Sequence, residues 1–235
     1  MPSVITSCVN ITDNLQQIHH KIEEICLQYQ RDPSQVKLLA VSKTKPIEDI
    51  RQAYQAGQLD FGENYLQEAL EKILALEDLP LCWHFIGSIQ SNKTREIAEH
   101  FDWVHSVDRL KIAKRLNDQR PESLAPLNIC LQINISHEAS KSGLDLSQLE
   151  QLVVDVLPLS RLRLRGIMAI PEKTTHFEEQ RQYFAELYQA YHQLQLKYPQ
   201  LDTLSMGMSG DMQAAIAEGS TLLRIGTAIF GTRNT

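Results

Sequence analysis

The sequence predicts a single (β/α)8 barrel, a TIM barrel, preceded by one extra N-terminal helix. Two observations carry this. From residue 36 onward, eight short apolar runs alternate with seven amphipathic stretches. The runs are also almost continuously apolar, as expected of parallel strands covered on both faces. Strict β-α alternation favours parallel pairing, and eight repeats favour closure over an open sheet. An open doubly wound sheet is the alternative.

The segment ahead of the first run places Ile11, Leu15, Ile18, Ile22 and Ile25 at spacings of four, three, four and three. That is a helical stripe, with Asn10, Thr12 or Asp13 as candidate cap. Arg31-Asp32-Pro33 ends it, because proline breaks a helix. The apolar runs follow at 36–43, 59–64, 82–89, 101–107, 127–135, 162–170, 201–209 and 221–226. Helical patterns lie between them at 47–56, 65–77, 92–100, 108–119, 146–157, 176–197 and 211–218. On the longest of these, Phe177, Tyr183, Phe184, Leu187, Tyr188 and Tyr191 are expected to pack on the barrel. No Gly/Ser/Pro-rich linker divides the 235 residues, so one domain over 1–235 is expected.

Composition excludes several classes. With 43% hydrophobic and 22% charged residues the chain is an ordinary globular mixture. A net charge of −6 argues against a nucleic-acid surface, which needs a basic stripe. RLRLR (161–165) alternates with leucine and is expected to be a strand with one charged face rather than an anion patch. Cys8, Cys26, Cys82 and Cys130 form no C-x-x-C pair, and Cys82 and Cys130 lie inside apolar runs. Buried thiols in a reducing compartment are expected, not a zinc or redox site. The N-terminus lacks a basic region followed by an apolar core, and no stretch reaches the roughly 20 apolar residues of a membrane span. A cytoplasmic protein with no membrane partner is expected.

In such a barrel, chemistry collects where the strands end. The runs end in Ser42-Lys43-Thr44-Lys45, Gly62-Glu63-Asn64, Gly87-Ser88, Asn134, Ser205-x-Gly207-x-Ser209 and Arg224-Ile225-Gly226-Thr227. Alternation puts Lys43 on the face of Leu39 and Val41, the lumen side. Desolvation there lowers an amine's pKa, and a neutral amine attacks an aldehyde to form an imine. The plain alternative is that Lys43 snorkels into solvent. Lys45 is expected to be an exposed neighbour, the alternative being that it helps lower the Lys43 pKa.

The loops after the seventh and eighth runs are where barrels commonly hold phosphate. Glycine lets backbone N–H groups approach an anion, and Ser and Thr add hydroxyl donors. Taken singly, these glycines serve equally well as tight turns. Arg224 sits in an apolar run and needs an acceptor; it is either a structural ion-pair partner or a donor to a cofactor's ring nitrogen. His84 is best read as a core or rim histidine, and the other histidines show no helical pair or carboxylate cluster suggestive of metal.

Together, LLAVSKTKP, FGENYLQE, WHFIGSIQSNK, QINIS…KSG, RGIMAIP, LSMGMSGDM and RIGTAIFG, in order from residue 38 to 231, closely resemble the YggS/PROSC family of pyridoxal phosphate homeostasis proteins. That family is similar to the barrel domain of alanine racemase and ornithine decarboxylase without their second β domain. Here only four residues follow Gly231, so that domain is expected to be missing and a monomer is expected. The resemblance implies pyridoxal 5′-phosphate (PLP) bound as a Schiff base on Lys43. It implies phosphate donors at Ser209, with Ser205 also a candidate, and at the Gly226-Thr227 turn. Arg224 would face the pyridine nitrogen, Asn64 would lie beside the ring, Met168 would line the pocket, and Lys141 would stand near the mouth. Gly210 departs from the more polar residue expected in many relatives.

An arginine at the ring nitrogen disfavours its protonation and so weakens carbanion chemistry. The expected function is therefore that of a carrier in intracellular PLP homeostasis, releasing the cofactor to apo-enzymes, without turnover. A weak amino-acid racemase or decarboxylase is the runner-up, and a cofactor-free Schiff-base aldolase a third possibility.

Overall fold

The computed structural model describes residues 9–136 and 142–232. Its strands are β1 (Lys37–Val41), β2 (Asp60–Glu63), β3 (Cys82–Phe85), β4 (Trp103–Val107), β5 (Leu127–Ile133), β6 (Leu162–Ala169), β7 (Thr203–Ser205) and β8 (Leu222–Ile225). They close into a parallel barrel in chain order. β8 returns to β1, with Lys37 opposite Leu222 through Ala40 opposite Ile225. Closure leaves no free edge, and it excludes the open doubly wound sheet.

Helices α2 (Ile47–Gln55), α3 (Leu66–Ala75), α4 (Thr94–His100), α5 (Leu110–Gln119), α6 (Leu146–Val156), α7 (Phe177–Lys197) and α8 (Met212–Ala217) fill the intervals between strands. A short α9 (Thr227–Phe230) follows β8. Element order and type match the sequence pattern, but the strands are shorter than the apolar runs. The run 201–209 yields only Thr203–Ser205 as strand. Gly207, at φ +100, turns the chain out of the sheet, and a Cβ there would sit 2.5 Å from the Ala215 Cβ.

Alternation along each strand sorts side chains into two layers. Leu38 and Ala40 of β1 join the main apolar layer between barrel and helices. Leu39 and Val41 point the other way, into the lumen, where they meet Ile86 and Leu222. A second lumen cluster joins Trp103, Cys130 and Met168. Burying each such Leu, Ile or Val contributes about 1.5–3 kcal/mol.

The extra helix α1 (Ile11–Gln28) buries its whole predicted stripe, Ile11, Leu15, Ile18, Ile22 and Ile25. Of the three candidate caps, Asn10 is the one used, its side chain accepting from the Asp13 N–H at 3.1 Å. The chain turns away at Gln30, φ +55, ahead of a 3-10 turn at Pro33–Gln35. α1 packs on α2, α8 and α9, the helices flanking the β8–β1 seam. Arg31 donates to the carbonyls of Ile216 and Ser220, and Asn14 to that of Ile229.

RLRLR behaves as a strand with one charged face: Leu162 and Leu164 are buried and Arg163 is exposed. Arg165 closes the lower end of the barrel, paired with both oxygens of Asp202 and stacked 4.5 Å from the Trp103 ring centroid. Among the described residues, no helix is long and apolar enough to cross a membrane.

Where β6 meets β7, Gly166 lies opposite Thr203, and a Cβ there would fall 1.7 Å from the Thr203 carbonyl oxygen. Gly166→Ala is expected to cost about 3 kcal/mol or more, read as a lower urea midpoint by circular dichroism. An unchanged midpoint would contradict this strand register.

Candidate functional site

β1 delivers Lys43 to the C-terminal rim just past its last paired residue. Lys43 is half-buried and lines a cleft of about 70 Å³ with Val41, Thr44, Lys45, Gly226, Thr227 and Gly231. The amine-bearing loop and the glycine turn after β8 therefore face each other across the barrel seam. At Gly226 a Cβ would approach the Val41 carbonyl to 3.0 Å, so the absent side chain keeps the wall of the cleft as bare backbone.

Both neighbours of Lys43 are clamped. The Ser42 hydroxyl donates to Glu63 Oε1 at 2.6 Å. Lys72, nearly fully buried, donates to the Ser42 carbonyl at 2.7 Å, to Glu63 Oε1 at 2.8 Å and to Glu68 Oε1 at 2.5 Å. That Glu68 oxygen also accepts from the Thr44 N–H at 2.6 Å. Thr44 sits at φ +62, a strained conformation for a β-branched residue costing about 1–3 kcal/mol. Burial pushes the Glu63 carboxyl up, while the Lys72 ammonium pulls it down. Lys72 and Glu68 were not singled out in the sequence; the available signal was their i, i+4 spacing on a helix. Lys45 is not the exposed neighbour expected. Its ammonium donates to the carbonyls of Phe230, Gly231 and Thr232, tying the β1 loop to the end of α9.

Arg224 is buried in the lumen. Its Nη1 donates to Ser205 Oγ at 2.7 Å and its Nη2 to the Ala169 carbonyl at 2.9 Å. Both acceptors are neutral, and burial lowers the guanidinium to about 10. Ser205 thus differs from its expected place among phosphate donors. Its hydroxyl is fully buried and shared between Arg224 and His105 Nδ1, the latter at 2.9 Å. The chain of contacts continues from His105 Nε2 to His84 Nδ1 at 2.9 Å, and from His84 Nε2 to Asp60 Oδ1 at 2.9 Å. Lys37 reaches the same Asp60 oxygen at 2.8 Å.

His84 is a core histidine, as expected, but it does join a carboxylate. Asp60, Cys82 and His84 bring their ligand atoms within 4.8 Å of one another. The signal was Cys82-x-His84 on one strand face beside Asp60 on the next. Two features weigh against a metal: burial pushes the Cys82 thiol up, and the Lys37 ammonium already supplies the cation at Asp60. His105, given no role from sequence, is the link between His84 and Ser205.

Asn64 lines a cavity of about 600 Å³ over the barrel mouth with Ile86, Gly87, Ser88, Gln132 and Met208. Its Oδ1 is buried without a hydrogen-bond partner. Met168 does not line this space; it is packed in the lumen against Trp103 and Cys130, and Met208 is the methionine at the mouth. Ser209 is exposed in the turn before α8 and lies outside the walls of the Lys43 cleft. A Cβ at Gly210 would meet open space, so the departure there is sterically neutral. Lys141 lies outside the described residues.

Fold and rim together define a (β/α)8 barrel of the alanine racemase type, with a lysine at the end of its first strand. The family model described as "Alanine racemase, N-terminal domain" matches residues 14–234. The chain belongs to that family, in the branch whose curated members are named pyridoxal phosphate homeostasis protein. One from Pseudomonas aeruginosa is 58% identical over 224 residues, covering 95% of this chain and 96% of its own. The structure of PipY from Synechococcus elongatus with PLP bound is 41% identical, with a TM-score of 0.80, over 94% of this chain and all of PipY. An alanine racemase from Clostridium difficile shares the fold at 14% identity and a TM-score of 0.73, with this chain covering 57% of it.

Burial pushes the Asp60 carboxyl up, but hydrogen bonds from His84 and Lys37 outweigh it and hold the group at about 2. Between pH about 4 and about 2 the unfolded carboxyl binds more protons than the folded one. Stability of about 2 kcal/mol is therefore present above pH 4 and lost as pH falls through 2. Unfolding titrations should show Asp60→Asn flattening that window; an identical acid slope in the variant would refute the pairing.

Proposed function

We propose that this protein is a carrier of pyridoxal 5′-phosphate, binding it at the C-terminal rim and releasing it to apo-enzymes. The observation that carries this is the single cleft shared by Lys43 and the Gly226-Thr227 turn. The curated relatives bear the name pyridoxal phosphate homeostasis protein, and PipY was solved with PLP bound. The residues fit the group. Lys43 Nζ is the point of covalent attachment to the aldehyde carbon. The backbone at Gly226 and the Thr227 hydroxyl would receive the phosphate, with Ser209 as a further donor from the neighbouring turn. Arg224 would donate to the pyridine nitrogen. Asn64, whose buried Oδ1 lacks a partner, would lie beside the ring.

When bound, PLP supplies an electrophilic carbonyl and an electron sink. The chain's own groups restrain the sink. Arg224 is a permanent donor where a carboxylate would favour a protonated ring. The histidines linked to it, His84 and His105, have both ring nitrogens engaged inside the barrel, so neither offers a proton at the mouth. Binding and release, without amino-acid turnover, is the activity that follows, carried out by a cytoplasmic monomer.

Lys43→Ala should abolish the yellow colour of PLP-loaded protein and the borohydride-fixed adduct found by peptide mass spectrometry. An adduct on another lysine would overturn the attachment site. Appreciable racemisation or decarboxylation of amino acids by loaded protein would overturn the carrier assignment.

A further inference from the structure

The lumen chain has a direction that chemistry dictates. Arginine has N–H donors and no acceptor, so Ser205 Oγ must accept from Arg224. The serine's own hydrogen then has His105 Nδ1, 2.9 Å away, as its acceptor. A neutral His105 with a bare Nδ1 carries its hydrogen on Nε2 and donates to His84 Nδ1. His84 in turn carries its hydrogen on Nε2 and donates to Asp60 Oδ1. The opposite polarity would leave a serine hydrogen without an acceptor and set a bare His84 nitrogen against a carboxylate oxygen. Both rings are fully buried, and burial favours their neutral forms.

From this geometry we infer that His84 and His105 are positioning residues, locked as Nε2–H tautomers, that hold Arg224 in place through Ser205. With Asp60 fixed from the far side by Lys37, every rotatable group in the series has one satisfied orientation. The serine's lone pair is then always presented to Nη1, which aims the remaining guanidinium N–H groups. The ligand affected is the ring nitrogen of a pyridine cofactor, so this role rests on the PLP assignment, whereas the tautomers do not.

Long-range 1H–15N spectra of the histidine side chains in cofactor-free protein at pH 7 provide the first test. Both rings should show the Nε2–H neutral pattern; an Nδ1–H tautomer or a cationic ring at either residue would overturn the relay. In the second test, Ser205→Ala should weaken PLP binding about tenfold, measured by absorbance titration, with its unfolding midpoint followed in parallel. His105→Asn, which restores an acceptor near Nδ1, should bind PLP more tightly than His105→Leu. PLP affinities equal to wild type in Ser205→Ala and His105→Leu would overturn the positioning role. A wild-type protein that shows the tautomers but binds no PLP would overturn the cofactor assignment and with it the role of Arg224.

Discussion

Closure of β8 onto β1 is the constraint on which the site depends. Lys45 and Phe230, 185 positions apart, are hydrogen-bonded only because the last strand returns to the first. An open sheet with the same strands would place Lys43 and Gly226 on opposite edges, and no cleft would exist. The seam is accordingly stitched several times over. α1 lies across it, Arg31 binds carbonyls in and just after α8, Asn14 binds one in α9, and Lys45 binds three carbonyls at the end of α9. Long-range closure costs chain entropy, and these contacts are concentrated where it is incurred.

Inside, the barrel departs from a purely apolar plug. One side of the lumen is filled by Leu39, Val41, Ile86 and Leu222. The other carries two histidines, a serine, an aspartate and an arginine. An unpaired buried polar group costs about 1–3 kcal/mol, so such a series is tolerable only if every member is satisfied. It is satisfied from the Lys37–Asp60 pair at one end to the Arg224 hydrogen bonds at the other. Replacing Ser205 and the two histidines by apolar residues would leave the buried Arg224 without the hydroxyl that accepts from its Nη1.

The fold was legible because its signal is periodic. Eight runs and seven stripes report burial directly, and even the N-terminal stripe of five apolar residues is buried as the spacing predicts. That Lys43 and Gly226 reach the same rim and line one cleft was legible for the same reason. Legibility failed where a residue's role depends on what meets it across strands. Ser205 reads as a rim hydroxyl because its apolar run continues to 209, whereas the strand ends at Ser205 and the side chain points into the lumen. Met168 read as pocket-lining for want of depth information, since one step along a strand separates the floor from the mouth. His105 and Lys72 carry no motif of their own. Lys72 meets Ser42 and Glu63 on other elements as well as Glu68 on its own helix, and His105 meets His84 on the neighbouring strand and Ser205 a hundred positions on; periodicity says only that both face inward.

The division of labour around Lys43 bears on what the site can do. Below the rim, the Ser42–Glu63–Lys72–Glu68 cluster fixes the backbone on both sides of the lysine and holds Thr44 in its strained conformation. Removing one partner of such a buried pair typically costs about 3–5 kcal/mol, so the support is rigid. Above it, Thr227 and Ser209 are exposed, and the cavity over Asn64 opens to solvent. An enzyme that steers a carbanion needs the rigidity to extend over the reacting carbon and to exclude water there. In this barrel the rigid contacts converge on the backbone around Lys43 and on the arginine, while the face above them is open. That asymmetry is the physical basis of the proposed carrier role.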